Sequence, residues 1–223
     1  MVNADRTLVT VAVLGGTGKE GSGLAMRWAL HGYRVIIGSR EAARAEARAA
    51  EMNAILNGDY LIGMSNAEAA AQADLVVLSV PYSAHADTLA SVKDKLTGKI
   101  LIDVTVPLQP PQVRVVHVPE GKAAALEARA LLGDSVRIVS AFQNVSAEKL
   151  ADPAHEVDCD VLVASDDAEA KQEVMRLVEA AGMRGIDAGP LANAVAAEAL
   201  TPILLHINKT YGVKGSGIRI TGL

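Results

Sequence analysis

The apolar positions of this chain gather into short unbroken runs rather than alternating ones, and helix-spaced stretches separate those runs. Residues 8–14 are apolar and β-branched enough to be buried on both faces, as a central parallel strand is. Similar runs follow at residues 33–37, 61–62, 74–81, 99–105 and 136–142, the fourth of the six closed by Pro81. Residues 24–30 read as a helix with Gly32 as its C-cap, and residues 42–53 as an alanine-rich, charged helix. Asn66 is placed to cap a short helix ending near Ala73, and residues 122–132 supply another. Strands that alternate with helices in this way predict an α/β fold with one doubly wound parallel sheet, ending near Phe142.

The pattern after Phe142 is different. Residues 160–164 read as a strand, 167–181 as a helix closed by Gly182, and 185–187 as a short strand. Residues 193–207 then form an apolar helix that Pro202 either kinks or breaks, and residues 217–220 return as a strand. Two domains are therefore expected, residues 1–142 and a small C-terminal α/β domain over 143–223. An aliphatic helix with few polar positions needs another surface, so this second part is expected to form a lid and a subunit contact.

Chemistry enters at the first turn. Gly16-x-Gly18-x-x-Gly21 fits the phosphate-binding fingerprint, in which absent Cβ atoms serve a tight turn, the approach of a pyrophosphate and close helix packing. A chain with 19 glycines can produce that spacing by chance. Its place directly after a strand and before a helix makes it a dinucleotide site of the Rossmann type. At the end of the second strand an NAD site usually carries Asp or Glu; this chain has Gly38-Ser39-Arg40. Without the acid nothing repels a 2′-phosphate, while Ser39 offers a hydroxyl and Arg40 a charged fork, which favours NADP. Arg44 either joins that pocket or is solvated beside Glu41 and Glu46. Ser79, Val80 and Pro81 end the fourth strand, where the cofactor crosses the sheet. His85 just beyond is either an ordinary helix-face histidine or a neighbour of the nicotinamide.

Composition narrows the classes. Apolar content of 50% with only 3% aromatic residues calls for a close-packed aliphatic core, and 223 residues allow one or two domains. A formal charge of −5 and no basic stripe argue against nucleic acid. No apolar stretch reaches membrane-spanning length, and Met1 is followed by polar Asn3, Asp5 and Arg6 without a hydrophobic signal core, so a cytoplasmic protein is expected. Cys159 is alone, which excludes an intrachain disulfide and a cysteine zinc cluster. No metal site is expected either: His31, His85, His117, His155 and His206 show no H-x-x-x-H spacing, and no G-x-S-x-G elbow marks a serine nucleophile.

Taken together, Gly15-Gly16-Thr17-Gly18 with Gly21 and Gly23-Leu24-Ala25, Gly38-Ser39-Arg40, Val80-Pro81-Tyr82-Ser83-Ala84-His85, Asp187-Ala188-Gly189-Pro190-Leu191 and Glu198-Ala199-Leu200-Thr201-Pro202 resemble the NADPH-dependent reductases of the deazaflavin coenzyme F420. The resemblance runs from about Leu8 to Ile220. It implies a homodimer with the deazaflavin in a cleft between the two parts of each subunit. It also implies that Thr17, Gly18, Lys19 and Glu20 surround the pyrophosphate while Ser39, Arg40 and Arg44 take the 2′-phosphate, and it places Ala141, Gln143 and Asn144 among the cofactor-binding residues. Archaeal members usually carry lysine at the position of Arg44, histidine at Gln143 and an Ile-Pro pair at Val145-Ser146. The implied reaction is reversible hydride transfer between NADP(H) and F420, which needs positioning rather than an acid-base pair, so no catalytic residue beyond the candidate His85 is expected. A reductase of another small imine, carbonyl or flavin, with His85 as proton donor, and a non-enzymatic NADP-responsive module stay open as alternatives.

Overall fold

The computed structural model describes residues 9–223; Leu8, and with it Asn3, Asp5 and Arg6, lies outside the described residues. Six parallel strands form the main sheet: β1 (Thr10–Leu14), β2 (Arg34–Ser39), β3 (Leu61–Ser65), β4 (Leu75–Leu78), β5 (Ile100–Asp103) and β6 (Arg137–Ser140), in the order β3-β2-β1-β4-β5-β6. The order reverses between β1 and β4, and the crevice outside their carboxyl ends is where such sheets bind ligands. Helices α1 (Lys19–Leu30), α2 (Ala42–Leu56), α3 (Asn66–Gln72), α4 (His85–Leu96) and α5 (Ala124–Leu132) make the crossovers.

Because successive strand residues point to opposite faces, the unbroken apolar runs feed two cores at once. Val11, Val13, Val35, Ile37, Val77 and Ile102 pack one face with Leu24, Ala25 and Trp28 of α1. Ala12, Leu14, Ile36, Val76, Leu78 and Leu101 pack the other with Ala69 of α3, Leu89 and Val92 of α4 and Ala128 of α5. Where helix and sheet come closest, alanine and glycine are required. A Cβ on Gly63 of β3 would strike the backbone of Ala45 and Glu46 in α2. Gly63→Ala is therefore expected to lower the unfolding free energy by about 1–3 kcal/mol, read as an earlier urea midpoint; an unchanged midpoint would mean α2 does not lie this close in solution.

After β6 the chain continues through α6 (Ala147–Leu150), β7 (Asp160–Val163), α7 (Ala168–Ala180), β8 (Arg184–Asp187) and α8 (Ala194–Tyr211). β7 and β8 pair in parallel as a separate two-stranded sheet, joined to β6 by a bridge between Ser140 and Ala164. Val161, Val163, Val174 and Leu177 share the core that includes α1. The join is held by α1 itself. Trp28 donates from Nε1 to Leu177 O at 2.8 Å and meets Phe142 edge-on, with centroids 5.9 Å apart. Leu150 of α6 sits against Gly23, where a Cβ would come within 2.6 Å of it. Arg27, only 4% exposed, donates to the backbone carbonyls of Ala181, Lys149, Asp152 and His155 at 2.7–3.3 Å, and at 3.5 Å to Leu150.

Two local expectations are corrected, and one left open at Pro202 is decided. The short helix near Ala73 is capped by Ser65 rather than Asn66, through a capping box in which Ser65 Oγ accepts from Glu68 N and the Glu68 carboxylate accepts from Ser65 N. Pro202 does not break α8, which runs on through it. Residues 217–220 form no strand; Asp160 N donates to Ile218 O, and the Asp160 carboxylate accepts from Ile220 N and from Arg184 at 2.6–2.8 Å. Those bonds, the Arg184 guanidinium first, draw the Asp160 carboxyl down to about 2.

Candidate active site

The glycine turn is built by contacts that leave no room for side chains. Gly15 takes a left-handed φ of +72°, and a Cβ there would strike Ser79 O and Val80. Gly16 N donates to Val13 O and Gly38 O, both at 3.1 Å, and Ser22 Oγ donates to Gly16 O at 2.8 Å. Gly21 brings α1 against the sheet, since a Cβ would meet Gly16 Cα and Ser79 Oγ at 3.0 Å. Gly18 differs: a Cβ would find only Gly15 O at 3.5 Å, an ordinary contact, and its φ of −75° suits any residue. Nothing within the protein requires glycine at 18, and the bare backbone there leaves room for a ligand to approach. Gly18 is also the N-cap of α1 with no side chain to cap it, so the positive end of the helix faces outward there.

A cleft of about 530 Å³ opens at this point. Gly18, Lys19 and Glu20 form one end, Ser79, Val80 and Pro81 with Val104 and Thr105 form the strand-end wall, and Gln143 and Asn144 form the floor. α8 closes it with Thr201, Leu204, Leu205 and Asn208, helped by Gly215 and Ser216 of the tail. Ser216 is tied to α8 by bonds to Asn208 Oδ1 at 2.9 Å and Leu204 O at 3.2 Å. The α8 residues carried a signal in the sequence, since 201, 204, 205 and 208 share one helical face.

Among the described residues, four enclosed side-chain oxygens have no hydrogen-bond partner: Glu20 Oε1, Thr105 Oγ1, Gln143 Oε1 and Asn144 Oδ1. All four belong to residues lining this one cleft. Unpaired buried oxygens are costly, so their concentration is the mark of a polar ligand's site. The two amides are held in a defined sense. Gln143 Nε2 donates to Asp103 O at 2.7 Å and Asn144 Nδ2 to Asp160 O at 2.6 Å; a carbonyl can only accept, so each amide oxygen faces away from it. Phe142 turns the chain into this floor through a left-handed φ of +74°.

Enclosure pushes the Glu20 carboxyl from 4.5 up to about 8. Between those values the folded chain binds more protons than the unfolded one, so this group's contribution to stability falls as pH rises through that window. Glu20→Gln, which cannot titrate, is expected to gain on the parent protein in urea midpoint as pH is raised from about 5 to 8. A difference that stays constant with pH would refute the shift.

The remaining predicted residues fall in three places. Thr17 stands on the turn, and Lys19, which opens α1, is exposed and among the described residues has no ion-pair partner. Ser39 is buried at the end of β2, its Oγ accepting from Glu41 N at 3.3 Å. Arg40 and Arg44 are exposed beyond it and likewise without an ion pair among the described residues. They lie beyond the end of β2, outside the cleft lining. His85 and Ala141 do not line it either. Ala141 is turned into the core, and His85, 2% exposed, has its Nε2 2.7 Å from Asp103 Oδ2. Burial, the largest single influence, lowers the His85 imidazole, but its bond to Asp103 and the negative charges of Asp103, Glu127 and Glu198 together outweigh that and raise it. Sequence reasoning missed Asp103, whose other oxygen accepts from Thr105 N at 3.0 Å, and Asn66, whose Oδ1 stands 3.4 Å from Gly15 N. Among the described residues no cluster of three metal-ligating side chains occurs, and no helix is long and apolar enough to cross a membrane.

The chain is similar to known proteins along nearly its whole length. Residues 10–107 match the family described as NADP oxidoreductase, coenzyme F420-dependent. The F420-dependent NADP reductase of Methanothermobacter thermautotrophicus is 43% identical over 97% of this chain and 96% of its own. That of Methanocaldococcus jannaschii is 40% identical over 96% and 98%. Among solved structures, a hypothetical protein of Sinorhizobium meliloti superposes with a TM-score of 0.67 at 22% identity, covering 88% of this chain and 90% of that one. An imine reductase of Myxococcus stipitatus gives 0.61 at 18% identity over 93% and 62%. At those identities the structural matches establish the fold alone.

Proposed function

The chain belongs to the family of coenzyme F420-dependent NADP oxidoreductases, and from that premise we propose that it moves hydride reversibly between NADP(H) and the deazaflavin coenzyme F420. The observation that carries the reading is the single cleft that begins at the α1 N-terminus, passes the ends of β4 and β5, and continues under α8 with every unpartnered enclosed oxygen on its walls. When bound, the two rings supply the redox chemistry, with hydride passing between C4 of the nicotinamide and C5 of the deazaflavin.

The chain's own residues bind, orient and exclude water. Gly16, Thr17, Gly18, Lys19, Glu20 and Gly21 hold the pyrophosphate in this reading, and Ser39, Arg40 and Arg44 the 2′-phosphate. Ser79, Val80 and Pro81 support the nicotinamide, while Gln143 and Asn144 with the inner face of α8 receive the deazaflavin. Ala141 and His85 act from behind that wall, Ala141 by packing and His85 by fixing Asp103. A reductase that used His85 to protonate a carbonyl or imine would need that ring in the cleft, where it does not reach. We further assign residues 1–142 to the NADP half and 143–223 to the deazaflavin half, in a cytoplasmic homodimer. Ile203, 45% exposed on the outer side of α8, gives a second copy an apolar position to cover.

The test is to mix purified protein with NADPH and oxidised F420 and follow the loss of the deazaflavin's long-wavelength absorbance, with NADH as control. Bleaching with NADPH supports the assignment. Tight NADPH binding without bleaching overturns it in favour of a nucleotide-responsive module or another acceptor.

A further inference from the structure

The Glu198-Ala199-Leu200-Thr201-Pro202 stretch contains a buried acid that hydride transfer does not use. Glu198 is 2% exposed, and both its oxygens are engaged: Oε2 accepts from Ala124 N at 2.7 Å and Oε1 from Ala125 N at 3.1 Å. These are the first residues of α5, whose own N-cap, Ala123, has no side chain to offer. A carboxylate from α8 therefore caps a helix more than 70 residues earlier, at the positive end of its dipole. Desolvation pushes this carboxyl up to about 8 against the pull of the two N–H groups, with Asp103 adding to the rise and His85 opposing it. Tyr82, hydrogen-bonded to Glu127 at 3.0 Å, completes the charged and titratable groups around it. A hydrocarbon side chain would avoid that desolvation; it would not fix α8 against α5 in one register.

That register governs the cleft. Positions 198, 201, 205 and 208 follow one another along the inner side of α8, with about 10 Å of helix rise between 198 and 205. Thr201 Oγ1 donates to Gln143 O at 2.6 Å, the second anchor, and Leu205 and Asn208 then form the wall. Pro202, buried within the helix, has no N–H to return to the Glu198 carbonyl, so the backbone ladder is interrupted beside both anchors.

We infer that Glu198 is a positioning residue for the deazaflavin half of the cleft: by capping α5 from within α8 it sets, with Thr201, the spacing between the α8 wall and the Gln143–Asn144 floor. The inference rests on the reading of that cleft as the ring-binding site. Two variants test it. Glu198→Gln turns an amide N–H against a backbone N–H, and Thr201→Val removes the hydroxyl from a half-buried position. NADP+ and oxidised F420 are titrated separately by calorimetry onto parent and variants.

The expected result is F420 affinity lower by about tenfold in Glu198→Gln and by severalfold in Thr201→Val, with NADP+ affinity within about twofold of the parent. A purely structural role would lower the melting temperature and the fraction of binding-competent protein while leaving both dissociation constants alone. Unchanged F420 affinity in the folded variants, or a parallel loss for NADP+, overturns the inference; if Glu198→Gln does not fold, Thr201→Val decides. A parent protein that binds NADP+ but no F420 overturns the functional reading and the inference with it.

Discussion

Replacing Arg27 by methionine is expected to lower the unfolding free energy by about 3 kcal/mol, since several hydrogen bonds to a charged group, each worth about 1.5–3 kcal/mol, are lost together. Methionine replaces the hydrocarbon stem, so the loss belongs to the guanidinium. Four carbonyls, those of Ala181, Lys149, Asp152 and His155, lose a donor together, the bond to Ala181 being fully buried. Arg27→Lys keeps the charge without the planar fork and should fall between the two. Urea unfolding followed by tryptophan fluorescence reads the effect, because Trp28 is the next residue and the only tryptophan of the chain. A loss within the few tenths typical of surface positions would mean that the loop through residues 149–155 holds its shape without Arg27.

The second large effect is on ligand affinity. If Arg40 meets the 2′-phosphate, Arg40→Ala removes a charge-assisted pair worth about 1.5–3 kcal/mol, so NADPH should bind about ten- to a hundredfold more weakly. Turnover at saturating NADPH should change little, and NADH, which has no 2′-phosphate, should show no comparable loss. Equal losses with NADH and NADPH would remove Arg40 from that role. Arg44 stands one helical turn further along and is expected to show the same pattern at smaller amplitude.

Both effects illustrate what could be read from the residues. Arg40 could be singled out as a candidate for the 2′-phosphate because the strand that precedes it is a local pattern and the absence of an acid at residue 39 is visible in the sequence. The six strands of the main sheet were legible for a similar reason: each is an apolar run bounded by a turn, and their ends shifted by only a few residues. Arg27 was not legible. It occupies a helix position where an arginine is normally solvated, and only the return of residues 149–155 and Ala181 buries it. Glu198 and Asp103 are hidden in the same way, since their partners are backbone N–H groups and a histidine distant in sequence. In the cleft, Gly18 and Ser79–Pro81 announced themselves through the fingerprint and the strand end. The α8 wall was foreseen as a lid in outline, but a proline inside an apolar helix left its continuity undecided until Glu198 and Thr201 were seen to anchor it.

Helix α1 has a consequence for ligand traffic. Its first turn forms one end of the cleft, its middle rests on Leu150, and its last turns are tied to α7 and to the loop after α6. A clamshell opening between the sheet and the later part of the chain would have to tear those bonds from a single rigid rod. Substrates that must enter and leave on every turnover are therefore expected to pass by the other side, between α8 and the stretch of tail that Ser216 ties to it by two hydrogen bonds and that Ile218 and Ile220 anchor to Asp160. The pace of exchange would then be set by the tail, while the rod keeps the floor of the cleft in place.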